Sequence, residues 1–222
     1  LHDFTQLQSQ IMDHSLSRGR LTVFQTDLGW MAILCHEQLL QRVTFGHKSA
    51  SAAEAALAAD AGELASQGAH NECWHDALVA ALTEFAAGVR VDFSDVRVDD
   101  RDWTPFQRKV RAACRRIPLG ETRTYAELAA AVGSPQAARA VGRVMATNPV
   151  PIVIPCHRVV GSGGGLGGFS AIGGLATKRK LLALERGAQD DAATAGENTH
   201  HARRTTHHAS RSARHSSATS AV

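Results

Sequence analysis

The 222-residue sequence predicts an α+β fold in unlike parts. A small α/β unit over residues 1–100 precedes a mainly helical helix-turn-helix unit over 101–188, and a tail without apolar periodicity fills 189–222. Three observations lead there. Strand-like alternation is confined to the first hundred residues, two hydroxyl-headed capping boxes open helices after them, and charge divides at the same boundary. Residues 1–100 hold 6 Lys+Arg against 14 Asp+Glu, a net of −8, whereas 101–186 hold 14 against 4, a net of +10. The mild overall charge of +3 hides that contrast. A strongly basic unit joined to an acidic one points to a polyanionic partner, most economically nucleic acid.

The elements follow in order. Residues 21–26 and 30–35 flank Asp27-Leu28-Gly29 as a hairpin, and 38–45 supply a third strand. Residues 49–67 are Ala-rich and helical. Over 72–87, Trp74, Leu78, Leu82 and Phe85 recur at helical spacing before Gly88 stops the run. Residues 89–98 read as another strand, with Val91, Phe93, Val96 and Val98 as its apolar positions. Thr104-Pro105-Phe106-Gln107 is a capping box with Pro at the first helical position, opening a helix to about Arg116. Ile117-Pro118-Leu119-Gly120 is a turn. Thr124-Tyr125-Ala126-Glu127 is a second capping box, and its helix ends near Gly133. Ser134-Pro135 restarts helix at once, to about Met145 or Ala146, which makes a helix-turn-helix. This second helix offers Ala137, Ala138, Ala140, Gly142 and Ala146 with Arg139 and Arg143 as its only charges. A small-residue face suits close approach to a narrow minor groove, with one projecting side chain as a wedge. The last helix runs over 176–186, closed by Gly187 and carrying Glu185 near its end.

The chemistry concentrates in Asn148-Pro149-Val150-Pro151-Ile152-Val153-Ile154-Pro155-Cys156-His157-Arg158. Three prolines in seven positions exclude ordinary helix and stiffen the backbone. Ile152-Val153-Ile154 reads as a short buried β segment delivering Cys156. A thiol beside an imidazole and a guanidinium is in a setting that favours thiolate. The run 161–170 satisfies G-x-G-x-x-G at Gly163, Gly165 and Gly168, but no helix opens there, so it reads as a flexible pocket wall rather than a nucleotide loop.

The four cysteines (35, 73, 114 and 156) are scattered, which fits neither a zinc site nor a disulfide framework and suits a reducing compartment. No signal peptide and no membrane-length apolar run is visible. The expectation is a cytoplasmic monomer without membrane partner, metal or cofactor. The tail carries five histidines and is expected to be disordered.

Pro155-Cys156-His157-Arg158-Val159-Val160, with Tyr125, the Ala138-Arg139-Ala140-Val141-Gly142 helix and Asn148-Pro149-Val150-Pro151, resembles the O6-alkylguanine-DNA alkyltransferase (methylated-DNA–protein-cysteine methyltransferase) family. The match runs from about Thr104 to Gly187. Residues 1–100 resemble the family's ribonuclease-H-like N-terminal domain in pattern only. The resemblance implies a winged-helix-like second domain that binds duplex DNA through the minor groove and rotates an O6-alkylguanine out of the stack. O4-alkylthymine is a second candidate lesion. The alkyl group passes irreversibly to Cys156. His157 would deprotonate the thiol through a water, with Glu185 holding the imidazole and Asn148 bracing the turn. Arg139 would fill the vacated space, with Ala138 and Gly142 at the groove. Tyr125 would crowd the phosphate and assist leaving-group protonation. Met145, Pro151, Val159, Phe169 and Ser170 match positions lining the guanine pocket. Phe169 stands where many members have Tyr, and Ala171-Ile172 lengthen the loop by two. The zinc site of some animal members is not recognisable. A lesion-sensing alkyltransferase-like protein would lack the cysteine. A cysteine hydrolase would carry papain-like or caspase-like surroundings, which are absent.

Overall fold

The computed structural model describes residues 20–36, 38–61 and 73–187. The expectations for residues 1–19, 62–67 and the tail, and for the Trp74 side chain, lie outside the described residues. Strands β1 (Arg20–Thr26), β2 (Gly29–His36) and β3 (Leu39–His47) form an antiparallel meander in the order β1-β2-β3, with Val23 opposite Ala32 and Ile33 opposite Val43. Its first turn needs Gly29. There φ is +92°, and a Cβ would stand 2.9 Å from the His47 carbonyl oxygen.

Alternation along β2 divides its side chains between two faces. Ala32 and Leu34 meet Ala53 and Leu57 of helix α1 (Ala50–Ala61), while Met31, Ile33 and Cys35 turn to the main core. That core takes Leu78, Leu82 and Phe85 from α2 (Cys73–Ala86) and is continuous with the second half of the chain.

The strand expected over 89–98 does not form. Only Val98 bridges, to Leu40. Asp92 accepts from the Ser94 N–H in a local turn, and Arg115 Nη2 donates to the carbonyls of Phe93 (2.7 Å), Ser94 (3.1 Å) and Val96 (2.9 Å). With the Phe93, Ser94 and Val96 carbonyls taken by a guanidinium, pairing is confined to the end of the segment, where the Leu40 N–H donates to the Arg97 carbonyl (2.9 Å) and the Asp99 N–H to the Leu40 carbonyl (3.0 Å), and Phe93 anchors the rest in the core.

Helix α3 (Pro105–Arg115) opens on the Thr104 capping box and buries Val110, Ala113 and Cys114, together with Arg111. Arg111 lies 4.1 Å over the Trp103 ring and donates to the Thr147 carbonyl, which ties α3 to the segment before the proline-rich stretch. Helix α4 (Tyr125–Ala131) opens on the Thr124 box, with Thr124 Oγ1 accepting from the Glu127 N–H and Glu127 accepting from the Thr124 N–H. The following helix does not restart at Ser134. A turn closed by the Ala137 N–H to the Ser134 carbonyl (2.8 Å) intervenes, and α5 spans Ala138–Ala146 without a side-chain cap. Pro135 fits that turn as well as a helix start, so local sequence alone did not separate the two.

The proline-rich stretch sits in the middle of the molecule, with Val150, Ile152, Val153 and Ile154 all buried. It is a turn and not the β segment expected. The Ile154 N–H returns to the Val150 carbonyl (2.9 Å), and Ile152 lies at φ +74°, a left-handed conformation rare for a β-branched residue. Such a residue costs about 1–3 kcal/mol and persists only where its surroundings fix it. Here Asn148 fixes it, accepting from the Val150 N–H (3.2 Å) and donating to the Ile154 carbonyl (2.8 Å). On the outside, the Val43 N–H of β3 donates to the Pro149 carbonyl (2.9 Å). After the single 3-10 turn Cys156–Arg158, β5 (Val159–Val160) pairs in parallel with β4 (Arg123–Thr124), and helix α6 (174–187) closes the fold.

Thr124→Ala removes the α4 cap and leaves the Glu127 N–H without its acceptor. We expect a loss of about 1 kcal/mol in urea unfolding at unchanged m-value.

Candidate active site

Cys156 begins the 3-10 turn that follows the buried loop, and its own N–H is held by the Ile154 carbonyl (2.7 Å). It is 7% exposed. Burial pushes its thiol above the ordinary value. The Asn148 amide, the Lys178 charge and the N–H groups of Cys156 and His157 pull it down without overcoming burial. The stiff, cation-rich setting therefore does not by itself yield a resting thiolate, contrary to the expectation from neighbouring residues. Desolvation outweighs charge here.

His157 is fully buried, with Nε2 2.7 Å from Glu185 Oε1. Burial lowers its pKa, and the hydrogen bond and charge of Glu185 oppose that. The ring is therefore neutral at pH 7, and the carboxylate assigns the proton to Nε2. Nδ1 is left as a buried acceptor with no hydrogen-bonding partner among the described residues. Glu185 is 1% exposed and meets more than the histidine. Arg158 Nε (3.0 Å to each oxygen) and Nη2 (2.8 Å) donate to it, as does the Gly120 N–H (3.1 Å). Burial alone would raise this carboxyl; the hydrogen bonds and charges of His157 and Arg158 hold it at about 2. Arg158 is thus turned away from the thiol, and its Nη1 donates to the Ile117 carbonyl (2.6 Å).

The cation that does act on Cys156 is Lys178 of α6, which has 0% exposure. Its Nζ donates to the carbonyls of Val159 and Leu166 (2.6 Å each) and Gly168 (3.3 Å). It also stands 5.9 Å and 6.0 Å from the Tyr125 and Phe169 ring centroids. Sequence reading missed this residue. The available signal was its place three before Leu181 and seven before Glu185, on the buried face of α6.

Above the sulfur lies a cavity of about 370 Å³ lined by Tyr125, Gly142, Met145, Cys156, Phe169 and Ser170, among others. That volume is within the usual range of small-molecule sites, about 300–1,000 Å³. Tyr125 and Phe169 bring two rings to it. Ser170 Oγ donates to the Ala146 carbonyl (2.9 Å), which ties the loop to α5. The glycine-rich run forms a wall as expected, and Gly167 shows why glycine is needed. Its φ is +68°, and a Cβ would fall 2.7 Å from the Tyr125 ring. Tyr125 Oη has only a long contact of 3.5 Å with the Gly168 carbonyl. Its pKa is raised, first by burial and then by Cys156.

Gly142 and Ala146 carry the cavity's rim onto α5, and Arg139, exposed, stands one turn before Gly142 on the same stripe. Ala138 is half-buried at the start of that helix. Asn148 and Pro151 line a second cavity, which also reaches Cys156. Val159 joins neither wall. It is fully buried in the core, and its carbonyl is taken by Lys178. Among the described residues, no group of three or more His, Cys, Asp or Glu is placed to hold a metal, and no helix is long and apolar enough to cross a membrane.

Known proteins resemble this arrangement. Residues 105–187 match the family model described as the 6-O-methylguanine DNA methyltransferase DNA-binding domain. The methylated-DNA–protein-cysteine methyltransferase of Mycolicibacterium paratuberculosis is 49% identical over 108 residues, covering 49% of this chain and 63% of that protein. The constitutive enzyme of that name from Bacillus subtilis is 49% identical over 107 residues, covering 47% of this chain and 62% of that protein. The chain thus spans somewhat under two thirds of the length of these curated relatives. Two solved structures extend the likeness to both halves of the fold. Mycobacterium tuberculosis OGT in complex with DNA matches with a TM-score of 0.57 at 31% identity, covering 76% of this chain and 93% of that one. The O6-methylguanine-DNA methyltransferase of Pyrococcus kodakaraensis matches with a TM-score of 0.56 at 25% identity, covering 75% and 98%. With nearly the whole of the mycobacterial structure covered, the chain belongs to the methylated-DNA–protein-cysteine methyltransferase family.

Proposed function

We propose that this chain is a single-turnover DNA repair alkyltransferase. It takes an O6-alkylguanine extruded from duplex DNA through the minor groove and moves the alkyl group to Cys156. The observation that carries this reading is the cavity itself, which has a cysteine on its floor, two aromatic rings in its walls and a small-faced basic helix at its rim. A flipped base can stack between such rings, and the contacts repay the few kcal/mol lost on unstacking. Gly142 and Ala146 let the groove approach, and Arg139 fills the space the base leaves, a role its exposure on α5 supports. The same reading keeps a ribonuclease-H-like unit over 1–100, a winged-helix-like unit over 101–188 and a tail over 189–222.

The reaction follows from the resting state of the two buried groups. A water joins the thiol to His157 Nδ1, the imidazole takes the thiol proton, and Glu185 stabilises the imidazolium. The sulfur forms a bond to the alkyl carbon as the carbon–O6 bond breaks. The departing electron pair is neutralised by a proton from Tyr125 Oη, which solvent or His157 then replenishes. Lys178 supports the thiolate while it exists. The product thioether has no good leaving group, so the protein is consumed. His157 makes no direct hydrogen bond to Cys156, its Nε2 being committed to Glu185, which disfavours the ion pair of a papain-like hydrolase.

Incubating the protein with a duplex carrying O6-methylguanine should add one methyl at Cys156, seen by intact-mass and peptide spectrometry, with one equivalent consumed per lesion. Turnover, or methylation at Cys35 or Cys114 instead, would sink the reading. Arg139→Ala should slow repair in duplex DNA by more than it slows reaction with free O6-benzylguanine, and equal losses would remove its wedge role. The pH profile has a defined sign. Because burial lowers the His157 pKa, the acid limb of the transfer rate should fall below pH 6.5. Glu185 raises that pKa, so Glu185→Gln should move the limb to still lower pH while reducing the rate at neutral pH.

A further inference from the structure

A third cavity, of about 470 Å³, opens behind the proline-rich turn, and Cys156 is not among its walls. Three segments build it: residues 90–94, the end of α3 with the turn after it (115–119), and part of the proline-rich stretch up to Arg158. Buried Ile152 and Val153, with half-buried Leu119, give it an apolar side. Its charged groups are four arginines, Arg90, Arg115, Arg116 and Arg158, against one acid, Asp92. Two of the guanidiniums are held in place. Arg115 engages only Nη2, on the carbonyls of Phe93, Ser94 and Val96, which leaves its Nε and Nη1 without a partner among the described residues. Arg158 is fixed by Glu185 and by the Ile117 carbonyl. Arg90 and Arg116 are exposed, and their side chains make no hydrogen bond or ion pair among the described residues. The Asp92 carboxylate is occupied locally, accepting from the Ser94 N–H (2.8 Å) and hydroxyl (2.9 Å).

We propose that this cavity binds a phosphate monoester with an apolar body, the chemical class that includes nucleoside 5′-monophosphates, at a site separate from the one that carries Cys156. Its volume lies within the usual range of small-molecule sites, about 300–1,000 Å³. The charge sets the ligand. The four arginines outnumber Asp92 and the Glu185 that Arg158 already pairs by two positive charges. A phosphate monoester brings about 1.5–2 negative charges to one point at pH 7. A diester linkage in a DNA backbone brings one and cannot enter a concavity end-on. Guanidinium forks match phosphate oxygens in pairs, and Arg115 is immobilised before any ligand arrives, so little rotamer freedom is lost on binding. One effect opposes an anion here, since α3 ends at the cavity with the negative end of its dipole. That effect fades within a turn, and the Ala113 and Cys114 carbonyls are already taken by the N–H groups of Arg116 and Ile117. The apolar side formed by Ile152, Val153 and Leu119 covers the body of the ligand, which free phosphate lacks. This site does not depend on the alkyl-transfer reading. It is nonetheless joined to the frame of the other site, because Arg158 lies between its ligand and Glu185.

Phenyl phosphate is the probe, titrated calorimetrically into the full-length protein, with phenol and inorganic phosphate as its two halves. It should bind about 10-fold or more tightly than either half. Arg90→Ala/Arg116→Ala removes two exposed side chains without touching the core, and should weaken phenyl phosphate by about 10-fold or more. Lys109→Ala/Arg179→Ala, an equal loss of exposed charge elsewhere, should leave its affinity within about 2-fold. In amide NMR spectra the probe should shift Val91, Ser94, Leu119 and Val153. Equal weakening by the two double variants, or inorganic phosphate or phenol binding as tightly as phenyl phosphate, would overturn the site. So would shifts centred on Gly142 and Phe169, which would place the probe beside Cys156. Displacement of the probe by duplex DNA lacking terminal phosphates would assign these arginines to the nucleic-acid backbone and overturn the monoester.

Discussion

The carboxylate of Glu185 joins three parts of the chain that are otherwise remote. From the last helix it accepts from His157 and Arg158 on the turn after the proline-rich stretch, and from the Gly120 N–H before β4. Arg158 extends the connection to the Ile117 carbonyl at the end of α3. A buried charge of this kind persists because its partners satisfy it, and removing one partner of such a pair commonly costs about 3–5 kcal/mol. The arrangement is therefore structural and chemical together. The group that orients the imidazole also locks the helices around Cys156.

Burial acts on the thiol and the imidazole in opposite directions, raising one and lowering the other. Both groups rest neutral, which suits the proposed single use of the sulfur. A permanently exposed thiolate would react with any electrophile. Lys178 supplies positive charge beside Cys156 without occupying the cavity, because carbonyl oxygens of Val159, Leu166 and Gly168 hold its ammonium to one side. Readiness is thus stored in the surroundings and expressed only when a proton can leave.

The turn that presents Cys156 accepts an unfavourable backbone at Ile152 for a fixed position. Prolines at 149, 151 and 155 reduce the conformations available to the unfolded stretch. Asn148 closes the turn from inside, and burial of Val150, Ile152, Val153 and Ile154 anchors it in the core. Because β3 also grips this turn through Val43, the first half of the chain is part of the site's frame.

Much of this was legible in the residues themselves. The β1–β2 hairpin and the capping boxes at Thr104 and Thr124 rest on local signals, namely turn chemistry and capping geometry. Cys156 and His157 stood out as candidates by residue type on a proline-stiffened stretch, whereas Glu185 entered through the family resemblance. What stayed hidden depended on partners distant in sequence. Residues 89–98 have strand-like apolar positions, yet Arg115 takes the carbonyls a ladder would need. Ile152-Val153-Ile154 reads as extended, yet Asn148 and the core select a left-handed residue. Val159 turns into the core, Lys178 turns inward to carbonyls, and the thiol is held protonated by desolvation, which no pair of neighbouring letters encodes. Sequence by itself determined which groups are candidates for the chemistry, because residue type and local spacing are local properties. Only the tertiary structure decided their protonation states and orientations, because burial and hydrogen bonding are set by whatever the rest of the chain brings alongside.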